Sequence, residues 1–243
     1  MEHRLSARRR GSYGVDAPFA PFFMGTLIAV YLVLAIVSGQ WRRFLPVIFM
    51  GTIFVAYLDA TLRGKFVVWA QLLNQLNLRG DENILDLGCG RGAVLLLAAQ
   101  HLTTGRAVGA DLWRKVDQSG NAMEATRRNA LAEGVADRVE LHTADMTALP
   151  FADNSFDVVV SSLAIHNINT EEGRKKAIEE AVRVLRPGGR LMIADVRATG
   201  FYQRQLESLR MCDVKRRRLG WQFWRGAASA ATLLVTATKP KPA

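Results

Sequence analysis

The chain has 243 residues, 49% of them hydrophobic, which is enough to bury a sizeable core and excludes wholesale disorder. Its two cysteines, Cys89 and Cys212, exclude a disulfide scaffold and a zinc site built on paired CxxC motifs, so no metal site is expected. The formal charge of +10 lies at the ends: residues 1–65 carry 8 Lys/Arg against 3 Asp/Glu, residues 197–243 carry 10 against 2, and residues 66–196 carry 14 against 17.

The first sixty residues contain two apolar segments. No charge occurs from Ala17 to Trp41, and Phe44–Leu62 contains only Asp59. A membrane-spanning helix needs about 20 apolar residues, and the short connection at 39–43 requires an antiparallel hairpin. The sequence therefore predicts a transmembrane helical hairpin over residues 17–62, the alternative being a buried hairpin of a soluble protein. Small residues in both helices allow close packing, so a homo-oligomer through the hairpin is a further expectation.

Lys and Arg near the ends of the hairpin set its expected orientation. The N-terminal side carries Arg4, Arg8, Arg9 and Arg10, the other end carries Arg63, Lys65 and Arg79, and the tip has only Arg42 and Arg43. The positive-inside rule then predicts two spans, with the N-terminus and the following domain cytoplasmic. Asp59 is expected at the membrane interface, paired with Arg63 four residues later. Terminal basic clusters also favour an anionic membrane surface over a nucleic acid.

The residues after the hairpin form an amphipathic pattern. Over 65–76 the large apolar residues lie on one helical face: Phe66, Trp69, Leu72, Leu73 and Leu76. We expect a connecting helix at the membrane surface with Trp69 near the headgroups, or a helix that covers the sheet edge. The expected division is a basic cytoplasmic N-terminus at 1–16, the hairpin at 17–62, this connecting segment at 63–82 and a catalytic domain at 83–243.

Strand and helix patterns alternate from residue 83 onward. The predicted strands are Asn83–Leu87, Arg106–Asp111, Val139–Thr143, Phe156–Ser162 and Leu191–Val196, and the predicted helices are Ala93–His101, Ala122–Glu133 and Glu171–Leu185. This alternation is typical of an α/β fold with a parallel sheet covered by helices on both faces. Ligands in such folds bind at the carboxyl ends of the strands.

Three successive strand ends carry a glycine loop and two acids. Asp86-Leu-Gly88-Cys89-Gly90-Arg-Gly92 follows the first strand, with a G-x-G-x-G spacing unlike that of nicotinamide-binding proteins. Asp111 ends the second strand, where a carboxylate accepts hydrogen bonds from ribose hydroxyls. Asp145-Met146 follows the third strand, where a carboxylate meets an adenine amino group. Together these positions indicate a nucleoside site.

At these residues the chain resembles the class I S-adenosylmethionine-dependent methyltransferases. The resemblance covers about 83–240, and its motifs are Ile84-Leu-Asp-Leu-Gly-Cys-Gly-Arg-Gly92, Gly109-Ala-Asp111, Ala144-Asp-Met146, Leu149-Pro-Phe-Ala-Asp-Asn-Ser-Phe-Asp157 and Leu185-Arg-Pro-Gly-Gly-Arg190. They are most similar to the branch that methylates quinones, lipids and other small molecules. Ser161-Ser-Leu-Ala-Ile-His-Asn-Ile168 replaces the motif of nucleic-acid amino methyltransferases, so no nucleic-acid substrate is expected.

The resemblance implies a Rossmann-like seven-stranded sheet whose last strand is antiparallel, with Cys212–Leu219 and Ala231–Lys239 as the last two strands, joined through Gln222–Gly226. It implies S-adenosylmethionine as cofactor. Asp86 and the loop of Gly88, Cys89, Gly90 and Gly92 then face its methionine part, Asp111 with Leu112 binds the ribose, Asp145 with Met146 holds the adenine, and Ser162 completes the site.

Methyl transfer is an in-line displacement that requires alignment and exclusion of water, with a base where the acceptor is a hydroxyl or an acidic carbon. His166, after the fourth strand, is the expected catalytic residue, either as base or as substrate contact; the alternative is a loop histidine that orients backbone. The loop 113–121 either covers the cofactor through Gln118, Ser119 and Asn121, or is solvated with Asn121 capping the next helix.

The leading hypothesis is a membrane-anchored methyltransferase whose partners are the lipid bilayer and a hydrophobic small-molecule acceptor. Alternatives are a protein lysine methyltransferase that modifies a membrane protein, and a non-catalytic cofactor-binding module. The basic residues 215–218 and the aromatic segment 221–225 either protect a sheet edge or rest on headgroups. The hairpin either tethers the domain or helps to build the acceptor site, and removal of residues 1–62 is expected to leave cofactor binding nearly intact.

Overall fold

The computed structural model describes residues 9–224 and 231–242. The first helices form a hairpin, α1 (Phe19–Ser38) and α2 (Phe44–Asp59), joined by a 3₁₀ turn at Trp41–Arg43. A π-helical turn, Ala60–Gly64, then leads without a break into α3 (Lys65–Asn74). Arg4 and Arg8, which contribute to the expected orientation, and part of the Gln222–Gly226 connection lie outside the described residues.

The hairpin helices are not covered by the rest of the described chain. Only 6% of the apolar stretch of α1 and 17% of that of α2 with its extension are buried, and Phe22, Val37 and Phe49 are 67–80% exposed. A core hairpin of a soluble protein would be mostly buried, so this alternative does not describe the structure. Both helices are long and apolar enough to cross a membrane by length and composition.

The π-helical turn changes the faces on which its residues lie. Asp59 and Arg63 are expected to pair as neighbours four residues apart, but no ion pair joins them in the described part of the chain. A π turn widens the helix, so residues i and i+4 no longer stack as they do on an α-helix. The same turn lets Gly64 pack directly against the backbone of Gln222, where a Cβ atom would overlap the carbonyl oxygen.

A seven-stranded sheet forms the body, with strand order β3-β2-β1-β4-β5-β7-β6. The strands are β1 (Asn83–Leu87), β2 (Arg106–Asp111), β3 (Val139–Thr143), β4 (Phe156–Ser162), β5 (Leu185–Asp195), β6 (Cys212–Arg218) and β7 (Leu233–Thr238). The first five are parallel, and β7 is antiparallel to both β5 and β6. The predicted fold class, an α/β Rossmann-like sheet with an antiparallel last strand, is confirmed.

Helices cover both faces of the sheet. They are α4 (Ala93–Gln100), α5 (Met123–Glu133), α6 (Glu171–Val184) and α7 (Thr199–Ser208). Side chains of α3, α4 and α5 pack in one hydrophobic core, and those of α6 and α7 in the other. The sequence analysis leaves α7 unassigned, although its buried Tyr202 and Leu206 are spaced as on one helical face. It also begins β5 at Leu191 instead of Leu185.

The connecting helix α3 packs on the sheet, and its Trp69 does not lie at a membrane surface. The Trp69 side chain is fully buried, and its Nε1 donates to Ser162 Oγ at 2.9 Å. The expectation that Trp69 lies near headgroups is wrong, because Trp69 packs in the hydrophobic core with residues of the sheet, and burial of an indole stabilises that core. The alternative, a helix over the sheet, is what the structure shows.

Residues 9–17, called here the N-terminal strap, cross the body between the loop 117–119 and α5. The Val15 N–H donates to Ser119 Oγ and the Ser119 N–H donates to the Val15 carbonyl, while the Tyr13 hydroxyl donates to Glu133 Oε1. Glu133 also accepts from the backbone of Arg10 and Gly11. The strap is therefore fixed on the body immediately before α1 begins.

Candidate functional site

A cavity of about 330 Å³ opens at the carboxyl ends of the parallel strands. The predicted site residues that line it are Asp86, Gly88, Cys89, Gly90, Asp111, Leu112, Asp145, Met146 and Ser162. Two predicted residues do not line it: Gly92 packs below the loop against Leu96 and Thr126, and His166 lies beside the cavity. The sheet topology brings the lining residues together, because the ends of adjacent parallel strands share one edge of the sheet.

The glycine loop approaches its neighbours too closely for side chains. Gly88 has φ +72°, and a Cβ there would lie 2.2 Å from the Cβ of Ala164. Gly90 has φ +52°, and a Cβ there would lie 2.5 Å from Gln118 Oε1. Both positions need the left-handed conformation and the free space that glycine provides. The loop thereby exposes backbone to the cavity.

Asp111 connects this loop to the second strand. Its Oδ2 accepts from the Gly90 N–H at 2.8 Å, and its Oδ1 accepts from the Trp113 N–H and, at 3.2 Å, from Asn121 Nδ2. These donors hold the carboxylate in one orientation at the cavity wall. Such a fixed carboxylate can accept hydrogen bonds from a diol without further ordering.

The far end of the cavity suits a flat, partly apolar group. Leu112 is 45% exposed beside Asp111, and Met146 lies across from it in the same lining. Asp145 Oδ1 accepts from the backbone N–H and the hydroxyl of Thr147, both at 2.8 Å. This turn fixes the Asp145 carboxylate at the end of β3.

The opposite end, beside β1 and β4, contains Asp86 and Cys89. Asp86 is 1% exposed, and its Oδ1 has no hydrogen-bond partner in the described chain although it lines the cavity. Burial, together with the nearby Asp111 carboxylate, raises the pKa of Asp86 to about 8. Burial also raises the pKa of the Cys89 thiol, so Cys89 acts as a small apolar wall residue.

The loop 113–121 folds onto the site. Gln118 is buried, accepts from the Arg91 N–H through Oε1 at 2.8 Å and lines the cavity. Asn121 donates to Asp111 and does not cap α5, whose first residue is preceded by Ala122 without a side-chain cap. The capping alternative is therefore wrong for Asn121. Ser119 binds the N-terminal strap and not the cavity.

Two residues that the sequence analysis does not assign to the site also line the cavity: Asp16 of the strap and Lys65 of α3. Lys65 Nζ donates to Asp16 at 2.9 Å, and Asp16 also accepts from Gln118 Nε2 at 3.0 Å. These contacts join residues 49 and 102 positions apart, and no local pattern signals them. They argue against the expectation that residues 1–62 are dispensable for cofactor binding.

His166 lies on a 3₁₀ turn after β4 and faces Asp195 at the end of β5. Its Nδ1 lies 2.5 Å from Asp195 Oδ1, and its backbone N–H donates to Asp195 Oδ2 at 3.1 Å. Asp195 is fully buried and accepts from the Tyr202 hydroxyl and the Val196 N–H. The sequence analysis misses Asp195, although an acid at the end of a parallel strand is the signal that indicates Asp111.

Residues 85–193 match the protein family described as "Methyltransferase domain". These residues include the glycine loop, Asp111, Asp145 and β4. The chain carries a class I S-adenosylmethionine-dependent methyltransferase domain. Its cofactor class and its seven-stranded fold are therefore those that the sequence motifs imply.

Among curated proteins, the chain is 38% identical over 130 residues to the methyltransferase GfsG of Streptomyces halstedii, covering 54% of this chain and 43% of GfsG. It is 35% identical over 138 residues to the ubiquinone/menaquinone biosynthesis C-methyltransferase UbiE of Roseobacter denitrificans, covering 56% of this chain and 52% of UbiE. The chain thus spans about half the length of the curated relatives that it matches.

A solved structure shares the fold. Geranyl diphosphate C-methyltransferase from Streptomyces coelicolor A3(2), in complex with Mg²⁺, geranyl diphosphate and S-adenosyl-L-homocysteine, superposes with a TM-score of 0.56 at 16% identity, covering 70% of this chain and 78% of that chain. At this identity the likeness concerns the fold alone.

The described residues fit S-adenosylmethionine. The cofactor has an adenosine, a sulfonium and an amino-acid end, and the cavity offers a fixed carboxylate at Asp111, a second at Asp145, a glycine loop that exposes its backbone and an unpaired buried oxygen at Asp86. Asp111 and Asp145 would hold the adenosine, and the Gly88–Gly90 loop would lie along the sulfonium. When bound, the cofactor supplies a methyl group already activated for transfer.

We expect Asp111→Ala to weaken cofactor binding by roughly 1–3 kcal/mol, because hydrogen bonds to a fixed carboxylate are lost and the Gly90 N–H loses its acceptor. Gly90→Val should abolish binding, since its side chain would occupy the close-approach space beside Gln118. Calorimetric titration of the purified protein with S-adenosylhomocysteine measures both.

Glu124→Gln, an exposed carboxylate on α5 that makes only a surface ion pair with Arg127, is the matched control and should bind like the parent chain. Parent-like affinity in both Asp111→Ala and Gly90→Val would contradict the assignment of this cavity to the nucleoside.

Proposed function

We propose that this protein is a membrane-anchored S-adenosylmethionine-dependent methyltransferase that acts on a lipid-soluble small-molecule acceptor at the cytoplasmic face of the membrane. The observation that carries the proposal is the direct attachment of an exposed apolar hairpin to the wall of the cofactor cavity. The Tyr57 hydroxyl near the end of α2 donates to the Asp16 carbonyl, and the Asp16 side chain lines the cavity.

The hairpin supplies the membrane anchor in this proposal. Its aromatic and aliphatic side chains face outward over the whole length of α1 and most of α2. Exposure of so much apolar area in water would be strongly unfavourable, whereas a bilayer accommodates it. The two helix ends that adjoin the domain meet at the contact between Tyr57 and Asp16. The cavity would then lie about one helical turn from the membrane interface.

A basic and aromatic edge supports the same placement. Strand β6 presents exposed Lys215, Arg216, Arg217 and Arg218, and the turn that follows exposes Trp221. That turn packs on the π-helical turn at Gly64, directly after the proposed second span. Basic side chains near an anionic leaflet contribute about 1 kcal/mol each, and tryptophan favours the headgroup region. Protection of an edge strand accounts for the charges but not for the exposed tryptophan.

The acceptor class follows from the cavity and from the relatives. Next to the cofactor residues the lining includes Leu163, Ala164 and Ile168, which favour an apolar acceptor. The names of UbiE and GfsG describe a quinone-pathway C-methyltransferase and a methyltransferase, and demethylmenaquinone methyltransferases are also among the relatives. These names support a small molecule of quinone or lipid character as the acceptor of this chain.

His166 is the base in the proposed reaction. Nδ1 lies 2.5 Å from Asp195 Oδ1 without hydrogen-bond geometry, so the carboxylate acts on it through its charge, which favours a proton on Nδ1 and leaves Nε2 to accept one. Tyr202 and the Val196 N–H hold the Asp195 carboxylate, so the imidazole has one preferred orientation. Nε2 would take the proton of an acceptor hydroxyl or acidic carbon while that oxygen or carbon forms its bond to the transferred methyl. The imidazolium formed at His166 is stabilised by Asp195.

A base with this role predicts a specific kinetic pattern. His166→Gln should lower kcat by roughly 10²–10⁴-fold, because the acceptor then loses the group that takes its proton. Asp195→Asn should also lower kcat, because a neutral amide no longer stabilises the imidazolium. Tyr202→Phe, which keeps the carboxylate, is the control and should retain most of kcat.

Rates are measured with labelled cofactor and a total lipid extract as acceptor, and cofactor affinity is measured in parallel. A His166→Gln variant whose kcat matches that of the parent would contradict a base at this position.

The orientation predicted from Lys and Arg places Ser12 inside and Gln40 outside the cell. Single cysteines, Ser12→Cys and Gln40→Cys, are introduced in a Cys212→Ser background; Cys89 is buried and Cys212 is exposed. A membrane-impermeant maleimide should label residue 40 in intact cells and residue 12 only after permeabilisation. Labelling of residue 12 in intact cells, or protection of residue 40 after permeabilisation, would contradict two spans with a cytoplasmic domain.

The acceptor class is tested with membranes incubated with full-length protein and S-adenosylmethionine labelled in the methyl group. We expect label in the organic-soluble lipid fraction and its loss with Gly90→Val, the cavity-blocked control. Label confined to the protein fraction would support modification of a membrane protein instead, and no transfer to either fraction despite cofactor binding would support a binding module.

A further inference from the structure

The cofactor cavity has an uneven distribution of charge. Its lining includes the carboxylates of Asp16, Asp86, Asp111, Asp117 and Asp145, but among the described lining residues only Lys65 and Arg114 are cationic. An anionic group of a ligand will therefore bind beside one of these two side chains. Their positions decide which part of a ligand each can meet.

Lys65 and Arg114 are placed by different strands. Arg114 follows Asp111, at the end of β2, by three residues, and its carbonyl accepts from Asn121, the residue that also contacts Asp111. Lys65 lies one helical turn before Trp69, whose indole donates to Ser162 at the end of β4. Lys65 is therefore on the side of β4, and Arg114 is on the side of β2.

The cofactor also has two chemically different ends, an adenosine and an amino acid. An adenosine held by Asp111 and Asp145 directs the amino-acid end toward Asp86 and Lys65, and that end carries one ammonium and one carboxylate. The orphaned, buried Oδ1 of Asp86 suits the ammonium. The carboxylate needs a cation, and we propose that Lys65 binds the carboxylate of the cofactor's amino-acid end, with Asp16 as the residue that positions Lys65.

Asp16 fixes the lysine from the strap side. Lys65 Nζ lies 2.9 Å from Oδ1 and 3.1 Å from Oδ2 of Asp16, and the two side chains are only 5% and 16% exposed. Asp16 in turn accepts from Thr61 Oγ1 at 3.2 Å and from Gln118 Nε2 at 3.0 Å. An ammonium has three donors and can bind two carboxylates at once. A lysine held in this way loses little side-chain entropy when the ligand binds.

The inference extends the role of the hairpin. Lys65 begins α3, and Thr61 lies in the π-helical turn that continues α2, so the segment that leaves the proposed membrane forms the carboxylate end of the site. The inference rests on the cofactor of the proposed function and not on its acceptor or its membrane. Failure of label transfer to lipid would leave it intact.

The test compares two ligands with the same adenosine. S-adenosylhomocysteine carries the amino-acid end, whereas 5′-methylthioadenosine has a methyl group in its place and lacks both the ammonium and the carboxylate. Calorimetric titrations use the full-length protein in detergent. Lys65→Gln should weaken S-adenosylhomocysteine binding by about 10- to 100-fold, as expected for loss of a charge-assisted hydrogen bond, and change methylthioadenosine binding less than twofold.

Two further variants separate positioning from folding. Lys65→Arg keeps the cation and should recover most of the selectivity for S-adenosylhomocysteine, while Asp16→Asn should lose part of it because the lysine is no longer fixed. Arg114→Gln is the matched control: it removes the other cation of the cavity and should not reduce the ratio of the two affinities.

Two outcomes would overturn the proposal. Loss of both ligands to the same extent in Lys65→Gln, complete loss included, would mean that the pair with Asp16 only holds the fold. Parent-like affinity for both ligands in Lys65→Gln would mean that the carboxylate binds elsewhere, and a reduced ratio in Arg114→Gln would identify that place.

Discussion

The buried ion pair between Lys65 and Asp16 is the interaction on which the arrangement of this protein depends. It joins the strap to α3 and places both on the wall of the cofactor cavity. A buried charge pair is favourable only when further hydrogen bonds satisfy it, and here Thr61 and Gln118 do so. The hairpin, the glycine loop and the loop after β2 are thereby parts of one unit, so the hairpin is more than an appended tether.

Desolvation governs the other charged groups of the site. Asp86 is buried with one oxygen unpaired, which holds its pKa near 8 and leaves a place for a cationic group. Asp111 is instead held by backbone and amide donors, which keeps its carboxylate oriented. Asp195 is fully buried but lies against His166 and Tyr202. Three acids on strands of the same sheet therefore have three different tasks, set by their partners.

Local sequence patterns were sufficient to predict elements whose signal lies within a few adjacent residues. The first four strands have the predicted bounds, because β1, β2 and β4 are short, largely apolar runs buried in the sheet and β3 is a short alternating segment at its edge. Gly88, Cys89, Gly90, Asp111 and Asp145 also reach one cavity as predicted, whereas Gly92 does not. By contrast, α7 was missed because its buried apolar residues, Tyr202 and Leu206, are set among polar ones. The pairing of Asp59 with Arg63 failed because an α-helical spacing was assumed where the chain forms a π turn.

The sequence by itself determined the fold class, the domain family, the cofactor class and two apolar segments long enough to span a membrane, since each depends on composition or on motifs of a few adjacent residues. Only the tertiary structure decided that Trp69 is buried on Ser162, that Asp195 faces His166, and that Asp16 and Lys65 enter the cavity. These contacts join residues 29 to 102 positions apart. A single sequence shows that these residues are present but not that they are in contact, because the topology of the folded chain brings them together.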